Sequence, residues 1–225
     1  YIEFEPDDSI FKETEFKPEH VEKRLRHYSY LNTGLRLILN WEGPVAQTSK
    51  SAVSRVSKPA DAAKAPNAAD LEVGDTAGLE TCATSGTKVF QSRHGLMDLV
   101  MEDLSGDGSE PLYSPLHYAS KTLEFCFTHS NSRYGETFYS FVNGQYTSDG
   151  ATHLSAFREG LLKAVNEYCN GKFEGDDVRE AMVGAVAIRL KDPMFESQTK
   201  NKLGNTEIRT ELVNNVRLEL LHFFQ

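Results

Sequence analysis

Only three cysteines, Cys82, Cys126 and Cys169, are spread over 225 residues. Their odd number and wide separation exclude a disulfide framework, and the lack of a Cys-x-x-Cys pair or a histidine at ligand spacing excludes a zinc site. Such usage fits a reducing compartment, so a cytoplasmic protein is expected. Long hydrophobic runs are also missing. The longest, residues 181–188, falls far short of the roughly 20 apolar residues that a helix needs to cross a bilayer, so no membrane partner is expected. The acidic start YIEFEPDD has neither the charged nor the apolar region of a signal peptide. A basic balance is lacking too: 24 Lys and Arg stand against 33 Asp and Glu, a formal charge of −9. A surface that by itself neutralises many phosphates is thereby disfavoured, and any DNA contact is expected to be local or made by a larger assembly. Finally, no glycine-rich nucleotide cradle, acidic metal cluster or general base stands out, so neither a catalytic residue nor a metal ligand is assigned.

What is present is a chain that can bury a core, with 39% hydrophobic residues and a length prior of one to two domains. It begins at Tyr1 rather than Met, inside a stretch (Tyr1, Ile2, Phe4) with strand character, and reads as a fragment. Residues 18–30 have helical periodicity, with Val21, Leu25 and Tyr28 on one face and Arg24 and Arg26 pointing elsewhere; Asn32 and Gly34 close the helix. Residues 35–41 alternate as a strand. Residues 42–87 are rich in Ala, Ser, Thr, Lys and Pro and contain no aromatic residue, so they cannot offset their ordering entropy and are expected to be disordered.

Residues 95–104 predict a short helix burying Leu96, Leu99, Val100 and Leu104. Asp103, Ser105, Asp107 and Gly108 outline part of a calcium loop, but Ser114 replaces the twelfth-position Glu. A solvated turn is expected there. Residues 122–128 alternate Leu123, Phe125 and Phe127 inward with Glu124, Cys126 and Thr128 outward, and a turn at 130–135 leads into 136–146 as an antiparallel hairpin. Aromatics at alternating positions are assigned to sheet packing rather than base stacking. Thr152 is the expected N-cap of a helix faced by Leu154, Phe157, Leu161, Val165 and Tyr168, with His153 tied into local hydrogen bonds. Asp176 or Asp177 caps a shorter helix through Val183, residues 185–190 form a strand, and Ile208, Leu212, Val216 and Leu220 mark a last helix. Its end, Leu221, Phe223 and Phe224, expects a continuation or a partner.

Between that strand and the last helix lies the polar stretch 192–209, DPMFESQTKNKLGNTEIR. Pro193 stops the strand and Asn205 and Thr206 serve as caps, so the loop is held at both ends. Near its middle Gln198, Thr199 and Lys200 put an amide donor and an ammonium two residues apart, a pairing suited to a terminal phosphate. A solvated basic loop explains the same residues.

FESQTKNKLGN resembles a loop of the bacterial type IIA DNA topoisomerase ATPase subunits, the gyrase B and topoisomerase IV B family. The resemblance continues through GDDVREAMVGAVAIRLKDP, YGETFYSFVNGQYTSDGATHLSAFREGLLKAVNEY, FEPDDSIF and RLRHYSYLNTGL, in the family's order. Its implication is an α+β, two-layer sheet-and-helix transducer domain at 88–225, like the second domain of ribosomal protein S5 and including a left-handed crossover. Residues 1–41 would be the tail of a GHKL ATP-binding domain, and 42–87 a long insertion where the family has a short hairpin tip. Gln198 and Lys200 would contact the ATP γ-phosphate, with Mg²⁺ and its ligands outside this chain. The implied partners are DNA through the full assembly, a gyrase A-like cleavage subunit and a second copy of the ATPase subunit. The chain alone would be inactive. The insertion, and Ala151 where the family usually has Gly, leave a second reading open: a truncated or decayed non-catalytic interaction domain of the same fold.

Overall fold

The computed structural model describes residues 1–3, 5–7, 9–10, 18–42, 85–148 and 152–225. The expected disorder across 43–84, the substitution at Ala151 and the expected opening strand at Phe4 lie outside these residues; Tyr1 and Ile2 are exposed and outside any strand. Contacts divide the chain into two units, one of Tyr1–Ile38 with Val89–Gln225 and one of Leu39–Lys88. The elements run α1 (Pro18–Leu31), β1 (Leu37–Glu42), β2 (Ser85–Phe90), α2 (Leu96–Gly106), β3 (Leu116–Ala119), β4 (Leu123–His129), β5 (Thr137–Val142), β6 (Gln145–Tyr146), α3 (Thr152–Cys169), α4 (Gly175–Arg179), β7 (Met182–Ile188) and α5 (Arg209–Phe224). β1 and β2 form a two-stranded sheet, and β2 begins at Ser85, inside the range expected to be disordered.

The main sheet is ordered β3-β4-β7-β5-β6, antiparallel except for the parallel β5–β7 pair. The expected β4–β5 hairpin therefore does not form. β7, about 40 residues further along the chain than β5, inserts between the two and pairs with both (Phe125 opposite Val186, Tyr139 opposite Ala185). Hairpins instead join β3 to β4 and β5 to β6, the latter through Asn143 and Gly144 at φ of 49° and 84°. Both residues occupy the left-handed region that a two-residue turn requires.

One face of the sheet buries Leu123, Phe125, Phe127, Met182, Val186 and Ile188 against α3 and α5. Phe157 of α3 sits at its centre, with its ring 5.0 Å from Phe138, 5.4 Å from Phe125 and 5.7 Å from Phe127. The other face buries Cys126, Phe141, Val183 and Ala185 against Leu96, Leu99, Val100 and Leu104 of α2 and Tyr30 of α1. Cys126 and Thr128, expected to point outward, are therefore fully buried. Strand alternation tells the two faces apart, and here both are covered. On α1, too, the buried residues are His27, Ser29 and Tyr30, whereas Tyr28 is exposed.

α3 and α5 approach closely at Gly160, where a Cβ would lie 2.8 Å from Val216 Cβ and 2.9 Å from the Val213 carbonyl oxygen. Gly160→Ala is accordingly expected to cost about 1–3 kcal/mol by overpacking, read as a lower thermal midpoint. An unchanged or higher midpoint would contradict this packing. α4 is shorter than predicted: Glu174 is its N-cap, in a reciprocal capping box with Asp177, and Ala181 at φ 60° separates it from β7. The carboxylates of the partial calcium pattern are engaged elsewhere. Asp103 and Asp107 both accept from Arg133, and the Tyr139 hydroxyl donates to Asp103 at 2.6 Å.

Candidate functional site

The stretch after β7 is a pinned hairpin. The Asn143 side chain fixes its entrance by accepting from the Leu190 amide and donating to the Leu190 carbonyl, both at 2.8 Å. Phe195 and Leu203 then form an antiparallel bridge, flanked by Gly204 N–H to Met194 O at 2.8 Å and Glu196 N–H to Lys202 O at 3.1 Å. Such cross-chain bonds satisfy backbone groups that an open loop would leave to water.

Asn205 closes the base. Its Oδ1 accepts from the Met194 amide at 2.6 Å, while Nδ2 reaches Glu207 at 2.6 Å and the Asp192 carbonyl at 3.4 Å. The bond donated by Asn205 holds the Glu207 carboxyl below its ordinary pKa. The sequence predicts Asn205 and Thr206 as helix caps, but α5 starts only at Arg209, with Ile208 at the N-cap and no side-chain cap bond. Asn205 is 4% exposed, and a buried amide left without partners would be costly. The local geometry therefore spends it on the loop.

The Ser197 carbonyl accepts from the Lys200 amide at 3.0 Å, making a turn that places Gln198, Thr199 and Lys200 at the exposed tip. Lys200 adopts φ 57°, a left-handed conformation that costs a residue with a Cβ about 1–2 kcal/mol. Among the described residues nothing pairs with its ammonium or with the Gln198 amide. Lys202 differs: although half-exposed, it forms an ion pair with Glu196 at 3.0 Å. The structure thus brings Gln198 and Lys200 to one tip and leaves Lys200 as the unpaired cation there.

The hairpin is tied to α3 at its second arm. Leu203 is buried in the core with Leu154, Phe157 and Val216, and its carbonyl accepts from Thr152 Oγ1 at 3.2 Å. Thr152, the predicted N-cap, is instead the first residue of α3 and bonds across to the hairpin. Next to it, His153 contradicts its expectation as well. It is 1% exposed and neither ring nitrogen has a hydrogen-bond partner among the described residues. Burial pushes its imidazole pKa down to about 4, because nothing compensates the charged form. No sequence signal distinguishes such a histidine from a bonded one.

The DNA gyrase B family model matches residues 95–225. The DNA topoisomerase 4 B-subunit of Borreliella burgdorferi is 35% identical over 217 residues, covering 96% of this chain and 28% of its own length. The DNA gyrase B-subunit of Mycolicibacterium smegmatis is 30% identical over 246 residues, covering 100% of this chain and 34% of its own. The chain thus spans about a third of the length of these curated relatives. The crystal structure of the 43K ATPase domain of Thermus thermophilus gyrase B, in complex with an aminocoumarin, superposes with a TM-score of 0.62 at 24% identity, over 97% of this chain and 51% of that one. The B-subunit of the Myxococcus xanthus gyrase gives 0.66 at 14% identity, over 97% and 60%. These two likenesses bear on the fold, and they agree with its α+β architecture. With more than half of its length matched by one family model, the chain belongs to the DNA gyrase B family.

Proposed function

We propose that this chain is part of an ATP-hydrolysing type II DNA topoisomerase and that its 88–225 region couples hydrolysis to strand passage, with Gln198 and Lys200 sensing the ATP γ-phosphate. The supporting observation is the hairpin tip, where an exposed ammonium unpaired among the described residues stands beside an exposed amide on a loop pinned at both ends. Bound ATP supplies the γ-phosphate that hydrolysis removes. One cation and one amide fit one terminal phosphate group, not a whole nucleotide. The rest of the nucleotide site, with Mg²⁺ and its ligands, is proposed to lie in an upstream ATP-binding domain of which residues 1–41 are the tail. DNA, a gyrase A-like cleavage subunit and a second copy of the ATPase subunit are the partners this reading implies.

The tip is well connected for signalling. One arm of the hairpin leads from β7 and the other into α5, with Leu203 and Thr152 joining it to α3. Holding or releasing Lys200 acts on these packed elements together, which suits a phosphate-triggered switch between two arrangements.

The test uses a full-length subunit carrying the upstream domain. Lys200→Ala is expected to weaken a non-hydrolysable ATP analogue by roughly ten- to a hundredfold and leave ADP almost unchanged, the scale of one lost charge-assisted hydrogen bond. Lys202→Ala is the control, because an exposed pair like Lys202–Glu196 contributes about 0–1 kcal/mol. Equal losses for the two nucleotides, or a larger loss at Lys202, would remove the sensor assignment. The 225-residue chain alone is expected to show no ATP turnover above its own Lys200→Ala variant.

A further inference from the structure

We propose that the face of α1 formed by His20, Lys23, Arg24 and His27, walled by Tyr146, binds phosphate oxyanions. These four residues follow the i, i+3, i+4, i+7 spacing that places side chains on one helical face. They line a cavity of ≈ 540 Å³ together with Val21 and Tyr146, and among the described residues no carboxylate contributes to that lining. In a chain of net charge −9, a concave surface whose charged groups among the described residues are all basic is a local reversal of sign. Low-dielectric walls in such a concavity concentrate the field on an incoming anion.

The cations are available. Lys23 and Arg24 are exposed and form no ion pair with any described residue, whereas their neighbour Arg26 is committed to Glu102 and lies over the Phe90 ring. Glu19 and Glu22 are on the same helix but do not line the cavity. Lys23 also borders an adjacent cavity, where Asp103 and Asp107 are already held by Arg133. At the floor His27 is 7% exposed, its ring 5.1 Å from Tyr146 and 5.4 Å from Phe141. Burial, together with the charges of Lys23, Arg24 and Arg26, pushes its pKa down to about 4.

From His20 to His27 the face is roughly 10 Å long at 1.5 Å per residue. A planar carboxylate is satisfied by one guanidinium fork, but a phosphate can accept from several donors at once, and this lining offers an ammonium, a guanidinium and two imidazoles. The source is either a free polyphosphate or the backbone of a nucleic acid. The site involves no residue of the Gln198–Lys200 hairpin, so it is independent of the nucleotide-sensor reading.

Calorimetric titration of the chain with tripolyphosphate, and anisotropy with a short labelled DNA duplex, separate the two sources. Binding in either arm that weakens at least about tenfold in a Lys23→Ala/Arg24→Ala variant supports the proposal. For the duplex, the slope of log K against log salt is expected to fall by about two, one for each lost phosphate contact. Lys121→Ala, an exposed cation elsewhere, should change nothing, and Lys23→Arg/Arg24→Lys should retain binding because both charges remain. No binding in either arm would overturn the proposal, as would equal loss in the charge-keeping variant, which would report the fold instead. Loss in Lys200→Ala alone would move the phosphate to the hairpin tip. Equal competition by polyglutamate would reassign the face to an acidic protein segment.

Discussion

Leu203→Ala is expected to destabilise the folded chain by about 2–5 kcal/mol, the range for truncating a well-packed core leucine. The sequence presents Leu203 as one apolar residue in a polar loop, yet it is 1% exposed and packs with Leu154, Phe157, Leu161, Val216 and Leu220. Removing its methyl groups opens a cavity between hairpin and core. The bridge to Phe195 and the bond from Thr152 Oγ1 both involve the Leu203 backbone, so the hairpin should loosen locally before the domain unfolds. Two measurements check this. Denaturant unfolding gives the global loss, with Leu203→Met expected to lose less than about 1.5 kcal/mol because it conserves volume. Hydrogen exchange at the amides of Glu196 and Gly204, each bonded across the hairpin, should accelerate in the Ala variant. A global loss below about 1 kcal/mol, with exchange unchanged, would show that Leu203 does not anchor the loop.

That anchor marks the boundary between what could be read from the chain and what could not. Helical periodicity placed α2 and its buried face of Leu96, Leu99, Val100 and Leu104 within one or two residues of the observed ends, since a repeating apolar stripe is a local property. The same logic found β4 but misassigned Cys126 and Thr128. Alternation carries no information about whether a second layer covers the other face, and here α2 does. Strand partners were less legible still. Proximity along the chain paired β4 with β5, but the alanines, valines and glycine of β7 suit a central strand buried on both faces, and it takes the place between them. Gly184 leaves room there for the Phe138 ring, which would lie 2.4 Å from an added Cβ.

The candidate site divides in the same way. Gln198 and Lys200 could be nominated from the sequence because the loop's residue types and its resemblance to one family pointed to them together. What holds them could not be, because Asn205 is a plausible helix cap in sequence and a loop clamp only once Met194 and Asp192 are brought to it. Nor could the sequence show that Glu196 pairs with Lys202, two residues beyond Lys200.

His153 is the case in which burial alone sets the energetics, and it predicts a stability that falls with acidity. An unfolded histidine titrates near 6.5, whereas burial holds the folded imidazole down to about 4. Above the unfolded value both states are neutral and the group contributes no pH dependence. Between about 6.5 and 4 the unfolded chain binds a proton that the folded chain refuses, so stability rises with pH across that window and falls as the solution is acidified. A separation of about 2.5 units corresponds to about 3 kcal/mol, fully lost near pH 4 and constant below it. His27, whose folded pKa is lowered in the same direction, and the carboxylates titrate nearby, so the wild-type profile cannot be read alone. The difference between wild type and His153→Leu isolates the residue. At pH 7.5 the leucine variant should be at least as stable as wild type, because it removes two ring nitrogens that have no partner among the described residues and whose burial is costly. On acidification its advantage should widen by about 3 kcal/mol between pH 6.5 and 4. If Leu does not fit the site, His153→Gln is also free of the titration and should show the same widening from a lower starting stability. Parallel pH profiles for wild type and both variants would mean that the imidazole is protonated in the folded state, and hence that a partner reaches it in solution.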